Sequence, residues 1–256
     1  MTLLNILHNS RRIYAFTAAL CMFLLAFGGT QVAAQEASKH LALIGIQSGT
    51  VAPSGIGFAG FALTNKRAPK VSDGDGSAFV GFGFGDATRT VGVQATAHIT
   101  SVKDSFGDSG YLSLKFSRRL LDGPSPVYAS LRFGQLANWG DADGRDETAA
   151  VAISRFSHLT LGNGERLPVM MTLGAGTHLR NFETDPGVFA GFGVGLTQTT
   201  AASLAWTGDS LSVGTSFRFK GAEDIIFGLS VDDATDRNDN RRVILSVGYR
   251  FNLFGG

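Results

Sequence analysis

The sequence has little cysteine, little proline and few long apolar runs. Its one cysteine, Cys21, lies in an apolar stretch near the N-terminus, and six prolines are spread over 256 residues. After residue 34 no stretch approaches the ~18 apolar residues of a membrane-spanning helix. With 22 basic and 21 acidic residues, the bulk charge gives no indication of nucleic acid as a partner.

Motifs of catalysis and metal binding are lacking as well. The sequence has no nucleophile elbow, phosphate loop, nucleotide fingerprint or metal-ligand spacing, and its acidic loops lack the distal ligand of a calcium loop. We therefore expect no enzyme activity, no cofactor and no metal. Two histidines, His98 and His178, fall on polar faces of predicted strands, and they leave a lipid hydrolase open as a minor alternative.

The N-terminus has the features of a secretory signal peptide. Arg11 and Arg12 precede an apolar run, and Val32-Ala33-Ala34 supplies small residues for cleavage before Gln35. Cleavage between Ala34 and Gln35 removes two of the 22 basic residues, none of the 21 acidic ones, and the only thiol. We predict that residues 1–34 are a signal peptide, and that no disulfide stabilises the mature chain.

Residues 35–53 are harder to assign, since they contain one short apolar stretch at 41–46. We interpret them as a periplasmic lead-in or plug, with an extra strand as the alternative. The domain after them, residues 54–256, has a different pattern.

Apolar and polar residues alternate with a period of two through most of residues 54–252. We count twelve such runs between turn signals, at 54–63, 77–84, 89–102, 110–120, 126–138, 147–157, 167–179, 187–196, 200–207, 210–220, 224–231 and 241–252. One face carries Val, Leu and Phe, and the other carries Gly, Ser, Thr and a few cations. A soluble β-sandwich also alternates, but its exposed face usually carries many Lys and Glu, so this composition favours lipid outside and a polar lumen inside.

The connections between these runs alternate in length, with short turns at one end and mostly longer loops at the other. Outer-membrane barrels have short periplasmic turns and longer outer loops. We therefore predict an all-β fold, an antiparallel up-and-down transmembrane β-barrel of about 12 strands over residues 54–256. Ten strands is the alternative count, because the run at 200–207 is short for a tilted spanning strand.

The last run, residues 242–251, is the most informative. One of its faces carries Val243, Leu245, Val247, Tyr249 and Phe251. This aromatic C-terminal strand resembles the assembly signal of bacterial outer-membrane barrels, although that signal usually ends on the final residue and residues 252–256 follow here. The resemblance implies an outer-membrane location, with lipid, lipopolysaccharide and the barrel-assembly machinery as partners.

The polar face of the predicted strands is basic. Seven cations project from it into the predicted lumen: Lys115, Arg119, Arg132, Arg180, Arg218, Arg242 and Arg250. A basic pore attracts anions, so we expect a narrow channel for small, preferably anionic, solutes. Two alternatives remain: these cations pair with acids from the loops in a closed network, and the barrel is non-conducting with a structural, adhesive or lipid-binding role.

Overall fold

A computed structural model describes residues 39–66, 73–103, 105–181 and 183–254 of the chain. Twelve antiparallel strands follow one another, each paired with its neighbour in sequence, and β1 pairs with β12 to close a barrel. The strands are β1 (Ile56–Thr64), β2 (Asp75–Gly85), β3 (Gly92–Ile99), β4 (Gly110–Leu121), β5 (Val127–Trp139), β6 (Thr148–Thr160), β7 (Arg166–Arg180), β8 (Asp185–Gly195), β9 (Thr200–Trp206), β10 (Leu211–Phe219), β11 (Ala222–Asp232) and β12 (Arg242–Asn252).

The predicted twelve-stranded up-and-down barrel is confirmed. The short ninth run is a strand of seven residues that pairs with β8 and β10, so the alternative count of ten is wrong. No helix in the described ranges is long and apolar enough to cross a membrane. The predicted signal peptide and its cleavage site at Ala34/Gln35 lie outside the described residues.

The two ends of the barrel differ in their connections. At the end where β1 begins and β12 ends, the turns are short: 86–91, 122–126, 161–165, 196–199 and 220–221. At the opposite end the connections are mostly longer: 65–74, 100–109, 140–147, 181–184, 207–210 and 233–241. We call these the inner and outer ends, because short turns face the periplasm in outer-membrane barrels.

Burial in this barrel is the reverse of burial in a soluble protein. Val80 in the middle of β2 is 53% exposed and Leu245 in β12 is 56% exposed, whereas the hydroxyl-bearing Ser154 in β6 is 0% exposed. A continuous wall of exposed Val, Leu and Phe is stable only against an apolar phase. The apolar face that the sequence predicts is therefore the outer face of the barrel.

Residues 39–55 form no strand and lie inside the barrel. Their hydrogen-bond partners include Gln94 of β3, Ser117 of β4, Ser130 of β5, Ser154 of β6, Ser203 of β9 and Ser216 of β10. One short segment can reach strands on opposite sides of a barrel only through its interior. We call residues 39–55 the lumenal segment. The sequence left this region open as a periplasmic lead-in, a plug or an extra strand. From residue 39 onwards it contributes no strand to the barrel.

Candidate functional site

The lumenal segment enters and leaves the barrel at its inner end. His40 N–H donates to the carbonyl of Thr197, in the turn between β8 and β9, over 2.9 Å. The segment then rises until Gly45 lies against Ser212, one residue from the outer end of β10. It returns to the inner end, where Ser54 forms a bridge with Gly83 of β2. This path passes along much of the lumen twice and obstructs it.

Serine hydroxyls on the wall hold the backbone of this segment. The amide of Gly49 donates to Ser154 Oγ over 2.7 Å, and Ser117 Oγ donates to the carbonyl of Gly49 over 2.6 Å. Ser130 Oγ donates to the carbonyl of Ser48, and Ser203 Oγ accepts from the amide of Ile44. Each such bond contributes about 0.5–1.5 kcal/mol, so together the four bonds stabilise the position of the segment in the lumen by several kcal/mol.

Glycines on the wall make room for the segment. A Cβ added at Gly83 would lie 2.1 Å from the carbonyl oxygen of Ala52, and one at Gly193 would lie 2.3 Å from that of Ala42. Neither distance is tolerated between real atoms. The small polar face that the sequence shows is therefore a surface shaped to the chain that passes along it.

A charged contact ties the start of the segment to the inner end. Lys39 Nζ donates to Glu165 Oε1, in the turn between β6 and β7. The hydrogen bond from Lys39, with a further one from Asn163, lowers the pKa of Glu165 below its usual value. The ionised carboxylate that makes this contact is therefore favoured at neutral pH.

Above the segment, a cavity of about 660 Å³ opens towards the outer end. We call it the outer cavity. Its lower boundary includes Gly45, Ile46 and Gln47 of the lumenal segment, and its walls include Arg132 of β5 and Phe189 of β8. The upper part is lined by residues of the outer loops, among them Arg145, Asp146, Glu183 and Thr184. A solute entering from outside meets this cavity before it meets the obstruction.

Two irregular strand segments shape the outer cavity. In β5 the register against β4 shifts near Gln135, whose φ is 54°, and in β7 the register against β8 shifts near His178, whose φ is 52°. Non-glycine residues at positive φ are strained, and bulges of this kind redirect side chains. Both side chains line the cavity.

Of the seven predicted lumen cations, the structure brings two together in mid-barrel. Lys115 of β4 and Arg132 of β5 are directly opposed in the strand register, and Lys115 is only 8% exposed. In the described part of the chain neither has a hydrogen-bond or ion-pair partner. We call these two residues the basic pair.

The other five cations lie near the strand ends and contact local groups. These contacts are Arg119 with Asp122, Arg180 with the carbonyl of Pro186, Arg218 with the carbonyl of Gln198, Arg242 with Asp232 and Arg250 with Asp224. Three of the five are ion pairs with carboxylates. Strand register predicts the face of such a side chain but not its height or its partner.

The described histidines do not form a nucleophile-activating triad with other described residues. His98 Nε2 lies 3.0 Å from Ser113 Oγ, and its ring stacks on Tyr111 at 4.5 Å between centroids. His178 Nε2 lies 3.6 Å from the carboxylate of Asp146. Among the residues described, no histidine has both a hydroxyl and a carboxylate within reach, as a nucleophile-activating triad requires.

No protein-family model and no curated protein matches the sequence. Among solved structures, the KdgM porin in complex with disordered oligogalacturonate is similar, with a TM-score of 0.52 at 8% identity, over 77% of this chain and 98% of that one. The fold is that of a bacterial outer-membrane β-barrel. An identity this low carries the fold alone.

Two further outer-membrane barrels match less closely. Omp33 of Acinetobacter baumannii has a TM-score of 0.46 at 13% identity, over 77% of this chain and 98% of that one. An outer-membrane channel from Pseudomonas putida F1 has a TM-score of 0.49 at 12% identity, over 81% of this chain and 100% of that one. The names of these three neighbours describe porins, channels or outer-membrane proteins, and none describes an enzyme.

Gln47 and Gln135 were not identified as site residues from the sequence. The small size of the inward-facing side chains does indicate that something else occupies the lumen. Strands ~4.8 Å apart and tilted by ~40° give twelve strands a backbone radius of roughly 12 Å. Gly and Ser side chains on the inner face of the wall are too small to fill a barrel of that radius. Water or another segment of the chain therefore has to occupy the interior. The region at 41–46 was the available piece.

Proposed function

We propose that this outer-membrane barrel is a channel for small anionic solutes, and that its own lumenal segment closes it. The observation that carries the proposal is the basic pair, two cations directly opposed within the lumen that have no carboxylate partner among the described residues. Like charges directly opposed across strands destabilise a sheet. An anion beside the pair relieves the repulsion, so an anion in transit gains energy at this position.

The lumenal segment supports a gate rather than a permanent plug. Its contacts with the barrel are mostly single hydrogen bonds, many of them to serines, together with a charged contact to Glu165, which is exposed to solvent. Such contacts are individually weak. Displacement of the segment leaves a lumen lined by Gly, Ser and Thr, which water fills readily.

The cellular setting belongs to the same proposal. Residues 1–34 act as a signal peptide, and the barrel resides in the outer membrane among lipid and lipopolysaccharide. The assembly machinery recognises Val243, Leu245, Val247, Tyr249 and Phe251 on β12, the strand that closes the barrel against β1. The channel performs no catalysis and takes no cofactor.

Planar-bilayer recordings under a KCl gradient test the channel. We expect brief openings whose reversal potential shows preference for chloride, and Arg132→Gln should reduce that preference several-fold. The matched control is Arg118→Gln, which makes the same change on the lipid-facing side of β4 and should leave the preference unchanged. Cation preference in the unaltered protein, or equal preference in both variants, contradicts the proposal.

One observation favours a second candidate, a non-conducting barrel with a structural, adhesive or lipid-binding role. The lumenal segment fills space that a conducting pore needs. This candidate predicts no conductance under any condition, including conditions that dislodge the segment. Bilayer recordings of the unaltered protein and of a variant whose lumenal segment is tethered to the wall separate the two candidates.

A further inference from the structure

We infer that the outer cavity binds a hydroxylated carboxylate of about monosaccharide size, the class to which sugar acids belong. This inference rests on the proposed function, because it names the solute of the proposed channel. Four side chains on the cavity wall support it: Gln47, Arg132, Gln135 and His178.

Three of these side chains have buried polar atoms that have no hydrogen-bond partner in the part of the chain that the structure describes. They are Gln47 Oε1, Gln135 Oε1 and His178 Nδ1. Leaving a buried polar atom unpaired is unfavourable, and most buried polar atoms of native proteins have a hydrogen-bond partner. Here these three atoms line one cavity, so the wall is built to be completed by another molecule.

The chemistry of these atoms selects the ligand. An amide oxygen accepts hydrogen bonds, so Gln47 and Gln135 call for donors such as hydroxyl groups. Arg132 has no carboxylate partner within the described residues, and its planar guanidinium binds carboxylates through two parallel bonds. A ligand with several hydroxyls and one carboxylate satisfies both requirements, whereas a neutral sugar or a simple anion satisfies one.

The backbone supports the same assignment. Gln135 of β5 and His178 of β7, on either side of β6, both adopt positive φ at register shifts. Strain of this kind is enriched at functional sites, where it orients a side chain. The volume of about 660 Å³ lies within the ~300–1,000 Å³ of small-molecule sites.

Isothermal titration calorimetry on the full detergent-solubilised barrel tests the inference, with D-glucuronate, D-glucose and acetate as probes. We expect glucuronate to bind at least tenfold more tightly than glucose or acetate. Gln47→Leu removes one amide at nearly constant volume and should weaken glucuronate binding about tenfold, and Arg132→Gln should abolish the advantage over glucose. Arg118→Gln, outside the lumen, is the matched control.

The outcomes separate this inference from the proposed channel. Equal binding of the three probes, or none, overturns the sugar-acid site even where the bilayer recordings show anion-selective openings. Tight glucuronate binding that both lumen variants leave unchanged also overturns it, since the ligand is then held elsewhere. Binding with the expected ranking and loss in both variants supports the site whether or not the barrel conducts.

Discussion

Replacing Gly193 by valine should open the channel. A Cβ at this position of β8 lies 2.3 Å from the carbonyl oxygen of Ala42, about 1 Å closer than ordinary contact. The barrel wall is hydrogen-bonded on both sides of β8, whereas the lumenal segment is held by fewer bonds. The strain is therefore relieved by movement of the segment.

The size of the effect follows from the contact. Overpacking of this kind costs about 1–3 kcal/mol, and that shift changes a two-state equilibrium by about 5–150-fold. The segment is held by several kcal/mol in hydrogen bonds. The closed state should remain populated, and the open fraction should rise by about one to two orders of magnitude.

Single-channel recordings in planar bilayers measure the open fraction directly. The matched control is Gly248→Val, because a Cβ at this inward-facing glycine of β12 has no neighbour nearer than 3.9 Å. Heat-modifiable migration in detergent gels confirms that both variants are folded barrels. If folded Gly193→Val has the open fraction of Gly248→Val, the lumenal segment is not the gate.

Two further predictions concern the inner anchor and the lipid face. The pKa of Glu165 is lowered chiefly by the hydrogen bond from Lys39, so this contact is present at neutral pH and is lost as the pH falls below the usual 4.5 and through the lowered pKa. The open fraction of the channel should therefore rise over that acid range. Glu165→Gln should raise the open fraction at neutral pH and remove its dependence on pH. If the Glu165→Gln variant keeps the pH response, another titratable group causes that response. Val80→Arg places a charge on the exposed middle of β2 and should lower the free energy of unfolding in lipid by about 2–4 kcal/mol, as measured by urea titration. The control is Thr90→Arg, in an inner turn. Equal stability of the two variants would place Val80 outside the hydrocarbon layer.

The wall of this barrel could be read from the sequence almost completely. The alternation in runs such as 210–220 shows which residues share a face of the strand. Because this signal is local, the number of strands and the division into lipid-facing and lumen-facing residues could be predicted from it. Even the seven-residue β9 was visible as a weak run. Its length is tolerated because both neighbours pair with it along its course.

The contents of the lumen could not be read in the same way. The lumenal segment has no periodicity, and its position depends on contacts far away in sequence, such as Gly49 with Ser154. The bulges at Gln135 and His178 were hidden for a related reason. A single extra residue in a strand leaves the composition unchanged and becomes visible only in the pairing with the neighbouring strand.

The most direct measurement is the conductance of a barrel whose lumenal segment is tethered to the wall. The Cβ of Ile44 lies 3.3 Å from the position of a Cβ on Gly214 of β10, close to the ~3.5–4.5 Å that a disulfide spans. Ile44→Cys together with Gly214→Cys therefore allows a disulfide, and the only natural cysteine, Cys21, lies in the predicted signal peptide. If the lumenal segment is the gate, the oxidised protein stays closed and dithiothreitol restores anion-selective openings in the same bilayer. Identical conductance before and after reduction, or none in either state, would contradict this role of the segment.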